Sequence, residues 1–294
     1  MNDSSQTEYS FRKKWESFAS YQIGGVDSFD KNTLDWITER NGFGSVEEFA
    51  QHVDQYSTIL DAGCGNGRIL KLFLDVLGKR HDFFGVDFAA ADIARKNLAG
   101  SNVTVLEGDL TNAASLKSIP QPDFIYCQEV LHHTSDPAGS FANLAELLAS
   151  GGEIAIYVYK LKAPIREFTD DFVRSLITGL SHDEAMEITN EFAEFGRVLS
   201  ELNVPVDVPK LSLLGIEAGT YTVQRLLYNF FVKCYWNPEL SAAENNMINF
   251  DWYHPSLCSR HTLEEVHGWF STNRIEVIHS CVDDYGITVR GKKG

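Results

Sequence analysis

The chain is short of cysteine, of basic residues and of long apolar runs, and each shortage excludes a class of protein. Its five cysteines, Cys64, Cys127, Cys234, Cys258 and Cys281, are scattered, and none forms a Cys-x-x-Cys pair. That set signals neither a zinc ribbon nor a disulfide framework. Lys and Arg number 25 against 41 Asp and Glu, for a net charge of -16. Nucleic acid is not an expected partner, because binding phosphates takes a basic surface. The one small basic cluster near the start, Arg12-Lys13-Lys14, reads as a solvated helix face. No apolar stretch approaches the roughly 20 residues of a membrane span. Met1-Asn2-Asp3-Ser4-Ser5 is polar and lacks a signal core, so a cytoplasmic location is expected. No set of potential ligands has metal spacing, and no metal is expected. The 294 residues suffice for one large domain or a domain with a substantial insertion.

What is present starts at Ile59. Ile59-Leu60-Asp61-Ala62-Gly63-Cys64-Gly65-Asn66-Gly67-Arg68 reads as the end of a buried strand, a glycine turn and the start of a helix. Glycines at 63, 65 and 67 let the backbone turn tightly and approach a ligand. Ile69, Leu70, Phe73, Leu74 and Leu77 then recur at helical spacing, and Gly78 is a natural stop. A strand, a glycine-rich turn and a helix make the first half of a nucleotide-binding βαβ unit. A dinucleotide fold wants G-x-G-x-x-G, with a pyrophosphate at the helix N-terminus. Here the third glycine falls one place early, and Asp61 stands two residues before the first. A carboxylate there suits a cationic amino-acid portion better than phosphates. Cys64, inside the turn, reads as a small packing residue. The stretch resembles the first motif, D-x-G-x-G-x-G, of the class I S-adenosylmethionine (SAM)-dependent methyltransferases.

The resemblance continues at fixed intervals. Phe83-Phe84-Gly85-Val86-Asp87 is an apolar strand ending in an acid about 20 residues past the glycines, where a carboxylate can accept from ribose hydroxyls. Val103 to Leu110 is a third strand, again leading to an acid. The resemblance implies that Asp109 takes the adenine amino group and that the Leu110 amide reads a ring nitrogen. Phe88 and Gln128 join Asp61, Gly63, Gly65, Gly67 and Asp87 in the implied cofactor set. Asp123 to His133 resembles the fourth motif, with a V-L-H-H run. His132 and His133 leave that strand toward the cofactor and are candidates for base or acceptor contact; capping of the next loop is the equal alternative. Asp136-Pro137 starts a helix, and Glu153 to Tyr159 is a fifth strand. Tyr157 and Tyr159 leave it on one edge, with one of the two expected to face the core.

The expected architecture is α/β: a doubly wound, mostly parallel seven-stranded sheet of the Rossmann-like methyltransferase type, with a helical cap inserted after the fifth strand. Residues 1–56 read as an N-terminal helical segment, 57–160 as the SAM-binding core, 161–260 as the cap and 261–294 as the C-terminal part of the core. Within the cap, Val204 to Pro209 reads as an extended linker and Tyr221 to Trp236 as an aromatic-rich helix. Asn249-Phe250-Asp251-Trp252-Tyr253-His254-Pro255 shows no clear period. Tyr253 and His254 are the cap's catalytic candidates, as part of an acceptor wall; a structural corner is the alternative. Homodimerisation through the cap is the partner expectation. The expected function is methyl transfer from SAM to an O, N or C atom of a small or medium organic substrate. Aminopropyl transfer and non-catalytic SAM binding are the alternatives.

Overall fold

A computed structural model describes residues 2–29 and 31–294. Contacts divide the chain into an α/β unit, Lys14–Lys160 with Ser259–Gly294, and a helical unit, Leu161–Cys258 with the residues up to Lys13.

The chain enters through helices α1 (Asp3–Ser17), α2 (Lys31–Arg40) and α3 (Val46–Val53). Ser45 caps α3 by accepting from the Glu48 amide. Then come β1 (Thr58–Ala62), α4 (Arg68–Leu77), β2 (Asp82–Asp87), α5 (Ala91–Asn97), β3 (Val103–Glu107), β4 (Phe124–Gln128), α6 (Pro137–Leu147) and β5 (Glu153–Tyr159). Every residue of β5 is buried, as expected of a strand with both faces covered. Glu153 is tolerated there because Arg290 Nη1 (2.8 Å), His52 Nε2 (2.9 Å) and the Tyr56 hydroxyl (3.0 Å) all meet its carboxylate.

The insertion builds α7 (Pro164–Ile177), α8 (His182–Leu202), β6 (Pro205–Val208), β7 (Gly219–Thr222), α9 (Val223–Phe230) and α10 (Ala242–Tyr253). Three expectations are corrected here. The stretch expected as a linker forms β6, which pairs antiparallel with β7. That pairing claims Tyr221 and Thr222, so the aromatic helix shrinks to α9. The run at 249–255 was read as aperiodic, yet α10 carries it as far as Tyr253. Its buried face is partly polar: Asn249 exchanges hydrogen bonds with the backbone of Tyr235, and Asn245 with that of Asn237. A helix that buries amides shows no apolar period.

The chain returns through α11 (Leu263–Thr272) to β8 (Ile275–Val282) and β9 (Gly286–Lys293). The sheet order is β3-β2-β1-β4-β5-β9-β8, with β9 antiparallel to both neighbours. The chain leaves β1 toward β2 and β3, then restarts on the other side at β4. That switch opens a crevice at the carboxyl ends of β1 and β4, where open α/β sheets bind ligands.

Candidate active site

The glycine loop follows β1. Gly63, Gly65 and Gly67 all have positive φ. At Gly63 a Cβ would lie 2.2 Å from Val130 Cγ2, and at Gly65 one would lie 2.7 Å from Trp15 Cζ2. The missing side chains therefore make room for protein as well as for ligand. Asn66, fully buried, donates to the carbonyls of Ala19 and Tyr21 and accepts from the Arg68 amide. Asn97 donates to the carbonyls of Ala19 and Asn66. The segment after α1 is thus tied to the loop by side chains that no motif marks. Cys64 packs its Sγ toward Gly85, and burial pushes its thiol well up, which fits a packing role.

Four of the loop's amides are occupied. Gly63 and Cys64 both donate to the Val86 carbonyl, Gly67 donates to the Cys64 carbonyl, and Gly65 donates to Asp87 Oδ2 at 2.8 Å. A pyrophosphate would find the donors of a dinucleotide loop already committed. Asp61 is the opposite case. It is buried to 3 % exposure, and its Oδ2 has no partner. Burial, then the charge of Asp87, push its carboxyl up to about 8, against the pull of Arg68. A buried carboxylate oxygen without a donor calls for a cation.

The other acids stand along the same edge. Asp87 ends β2; besides Gly65 it accepts from the amides of Ala89 (2.9 Å) and Ala90 (2.7 Å). Burial raises its carboxyl, and these three amides pull it back. Phe88, next along, is 40 % exposed, a flat apolar ring beside that carboxylate. Asp109 Oδ1 accepts from the Thr111 amide and hydroxyl, both at 2.8 Å. No described residue accepts from the Leu110 amide, although the Leu110 carbonyl holds Asn143 Nδ2. At the end of β4, Gln128 Oε1 accepts from the Tyr126 hydroxyl. Glu129 follows with φ 61°, a strained conformation for a residue with a side chain, and lies 3.7 Å from Arg68.

A methyltransferase-domain family model matches residues 60–154, from β1 to β5. Those residues form a SAM-dependent methyltransferase domain. It is 24 % identical over 234 residues to the ubiquinone biosynthesis O-methyltransferase of Psychrobacter cryohalolentis, covering 74 % of this chain and 80 % of the relative. The Psychrobacter arcticus protein of that name is 25 % identical over 237 residues, with the same coverage. The trans-aconitate 2-methyltransferase of Acidovorax sp. is 34 % identical over 100 residues, covering 33 % of this chain and 36 % of the relative. SAM is the cofactor of this methyltransferase, and the residues fit it. SAM brings an ammonium for the orphaned Asp61 oxygen and no phosphate for the occupied amides.

Around His132 the methyltransferase is tightly packed. The ring is fully buried and stacks on Tyr159 at 3.7 Å between centroids, with His133 4.3 Å away. The Tyr159 amide donates to His132 Nδ1 at 3.3 Å. Nδ1 is therefore the acceptor, and the proton sits on Nε2, so the imidazole presents a donor there. Tyr157 and Tyr159 are both buried, with centroids 6.2 Å apart. The expectation that only one faces the core is corrected: residues two apart on a strand share a face.

Tyr253 and His254 have a setting other than the expected acceptor wall. Both are fully buried inside the helical unit. The Tyr253 hydroxyl lies 2.9 Å from Asp170 Oδ1 and 3.0 Å from the Lys233 carbonyl oxygen, and burial pushes it well up. His254 Nε2 faces the Leu180 carbonyl at 3.2 Å, and Nδ1 faces Ser10 Oγ at 2.8 Å; burial lowers its imidazole. Residues this occupied support a helix end. The polar-aromatic composition that marked them is that of a satisfied interior.

One residue escaped the sequence reading. Arg40, at the end of α2, is 3 % exposed and lies between the rings of Trp36 (3.3 Å) and Tyr157 (3.6 Å). Its Nη2 meets Asp283 at 3.3 Å, while Nε and Nη1 are buried without partners. Only the docking of α2 on the end of β5 reveals it. Among the described residues, no three His, Cys, Asp or Glu side chains gather where they could hold a metal ion.

Proposed function

We propose that this methyltransferase methylates an O, N or C atom of a small organic acceptor. The observation that carries the reading is the buried Asp61 carboxyl, with Oδ2 unpartnered, beside a glycine loop whose Gly63, Cys64, Gly65 and Gly67 amides are already committed. SAM supplies a methyl group on a sulfonium, open to in-line displacement by an aligned nucleophile. The chain's own residues bind and orient. Asp61 takes the ammonium, and Asp87 holds Gly65 while accepting from the ribose hydroxyls. Asp109 and the Leu110 amide take the adenine edge, and Phe88 covers its face. Gly63, Gly67 and Gln128 shape the walls. His132, donating from Nε2, orients an acceptor oxygen rather than removing its proton, and His133 stands beside it. The named relatives support a small acceptor, and the strongly acidic surface speaks against a nucleic-acid one.

Calorimetry is expected to give SAM and S-adenosylhomocysteine micromolar affinities, about -8 kcal/mol, without competition from NAD. Mass spectrometry after incubation with SAM and a panel of phenols, amines and organic acids should show S-adenosylhomocysteine and a methylated acceptor. Methylthioadenosine formed from decarboxylated SAM would instead establish aminopropyl transfer. Tight SAM binding with no turnover on any acceptor would make this a binding protein.

We also assign self-association to the helical unit. Phe168, Phe172 and Leu176 form an exposed stripe along α7, and Phe168 is 76 % exposed. Contiguous exposed apolar surface of this kind marks interfaces. Sedimentation should show a dimer that Phe168→Glu with Phe172→Glu converts to monomer; a monomeric wild type at tens of micromolar would refute it. None of the five cysteines is in a disulfide, which supports a reducing, cytoplasmic setting. Among the described residues no helix is long and apolar enough to cross a membrane.

A further inference from the structure

Arg40 is held firmly, yet two of its nitrogens are left over. His279 Nε2 donates to its carbonyl at 3.0 Å, which pins the end of α2 to β8. The guanidinium lies between the Trp36 and Tyr157 rings, and Nη2 meets Asp283. That carboxylate is shared. Its Oδ2 also accepts from Trp36 Nε1 at 3.1 Å, and its Oδ1 accepts from the amides of Tyr285 and Gly286, both at 2.7 Å. With four donors, both oxygens have used their lone pairs. Arg40 Nε and Nη1 remain, buried and unpartnered. An unsatisfied donor on a buried charge costs more than one on a neutral group. A mere clamp between α2 and β5 would need neither.

The sheet sets this guanidinium beside the cofactor crevice, within the α/β unit. Asp61 of β1 is in register with Tyr126 of β4, and Gln128 of β4 with Tyr157 of β5. Register partners share a face, as do residues two apart on a strand, so Asp61, Tyr126, Gln128 and Tyr157 lie on one face. β1 and β5 flank β4, two strand spacings apart, about 10 Å. Electrostatics agree. Burial pushes the Tyr126 phenol up; among the charges, Arg40 pulls it down most, Asp61 and Glu129 push it up, and Arg68 pulls it down. One phenol thus feels both Asp61 and Arg40. Glu129 is answered by Arg68, as Asp283 is by Arg40. The Tyr157 ring lies 3.6 Å from the Arg40 guanidinium and 6.4 Å from the His132 ring. One aromatic ring therefore spaces the spare donors from the imidazole. Those donors call for an oxygen, and a carboxylate answers a guanidinium with bonds about twice as strong as neutral ones.

We propose that Arg40 receives the carboxylate of the methyl acceptor, which makes that acceptor an organic acid bound on the β5 side of SAM. The assignment rests on the small-molecule methyl-transfer reading above. Trp36, Tyr157 and Asp283 hold the guanidinium in place, and Nε and Nη1 meet the ligand. SAM's own carboxylate is the other source of the same chemistry.

The test uses the full chain with benzoate, the neutral benzamide, SAM and decarboxylated SAM. By calorimetry with S-adenosylhomocysteine present, the wild type should bind benzoate at least about tenfold more tightly than benzamide. Arg40→Gln should remove that preference. Arg40→Lys, which keeps the charge but not the planar stack, should keep only part of it. In both variants the preference for SAM over decarboxylated SAM should match that of the wild type. Equal binding of benzoate and benzamide by the wild type, or an unchanged preference in Arg40→Gln, overturns the site. If Arg40→Gln instead loses the preference for SAM over decarboxylated SAM, the guanidinium holds the cofactor's carboxylate and the acceptor assignment falls. If the variants fail to fold, a wild-type crystal soaked with 4-bromobenzoate decides. The anomalous signal of bromine should place the carboxylate within about 3.2 Å of Arg40 Nε or Nη1, and a probe bound elsewhere, or none, overturns the site. SAM calorimetry on the same samples separates the two readings: benzoate held by Arg40 without SAM binding would count against the methyltransferase and leave the carboxylate site standing. Methylation of neutral acceptors alone, undisturbed by Arg40→Gln, would overturn the site and leave methyl transfer standing.

Discussion

Asp61→Asn is expected to weaken SAM by about 1.5–3 kcal/mol, the range for a hydrogen bond to a charged group, while making the ligand-free protein more stable above neutral pH. The opposite signs share one cause. The folded carboxyl titrates at about 8, above its ordinary 3.8. Its contribution to stability is therefore fully present below pH 4 and is lost as pH rises through 8. The loss amounts to at most about 1.4 kcal/mol per pH unit. Asparagine has no proton to lose, so the variant escapes it. SAM reverses the logic, because its ammonium favours the carboxylate. Below pH 8, binding must expel a proton, and the affinity of the wild type should fall by up to about tenfold per unit of acidification. Calorimetry in buffers of differing ionisation enthalpy would measure the released proton, and thermal melts would measure the stability. Affinity independent of pH between 6 and 8 would mean that Asp61 does not face the ammonium.

Gly63→Ala should be among the most damaging single methyls in the α/β unit. The position has φ +84°, and the new Cβ would meet Val130 Cγ2 at 2.2 Å and Cγ1 at 2.6 Å. The left-handed conformation costs a side chain about 1–2 kcal/mol, and overpacking about 1–3 more. Val130 is short and β-branched, so it has little freedom to swing away. The loop must move instead, breaking the Gly63 N–H bond to the Val86 carbonyl (2.7 Å) and shifting Asp61 two residues upstream. Melting should fall by the equivalent of about 2–5 kcal/mol, and SAM binding should be lost. Gly63→Ala with Val130→Ala removes the clash but not the φ penalty, so it should recover part of the stability. A single variant with normal melting and normal SAM affinity would show that the loop tolerates a side chain there.

Features set by neighbours in the chain were legible in advance. The Asp61-to-Gly67 loop and the strands ending near Asp87 and Asp109 each depend on residues a few places apart. Backbone geometry and apolar periodicity act over that range. The fold class followed from the alternation of such segments.

Features set by distant residues were not legible. Arg40 became a site candidate only when α2 set it between Trp36 and Tyr157, more than a hundred residues apart in sequence. The α10 helix was hidden because its interior partners are backbone groups of Tyr235 and Asn237, reached by asparagines that periodicity counts as polar. Tyr253 and His254 looked like ligand contacts because an interior satisfied by hydrogen bonds has the same composition as a binding wall. By itself the sequence determined that the chain turns a glycine loop behind Asp61 and sets acids along one edge of a parallel sheet, since short-range sterics and strand alternation leave few other outcomes. Only the tertiary structure decided which polar groups were left over, among them Asp61 Oδ2 at the loop, Arg40 Nε and Nη1 at the end of α2, and Arg174 Nε in the helical unit. Satisfaction is a sum over every neighbour a side chain meets, and most of those neighbours lie far away in sequence.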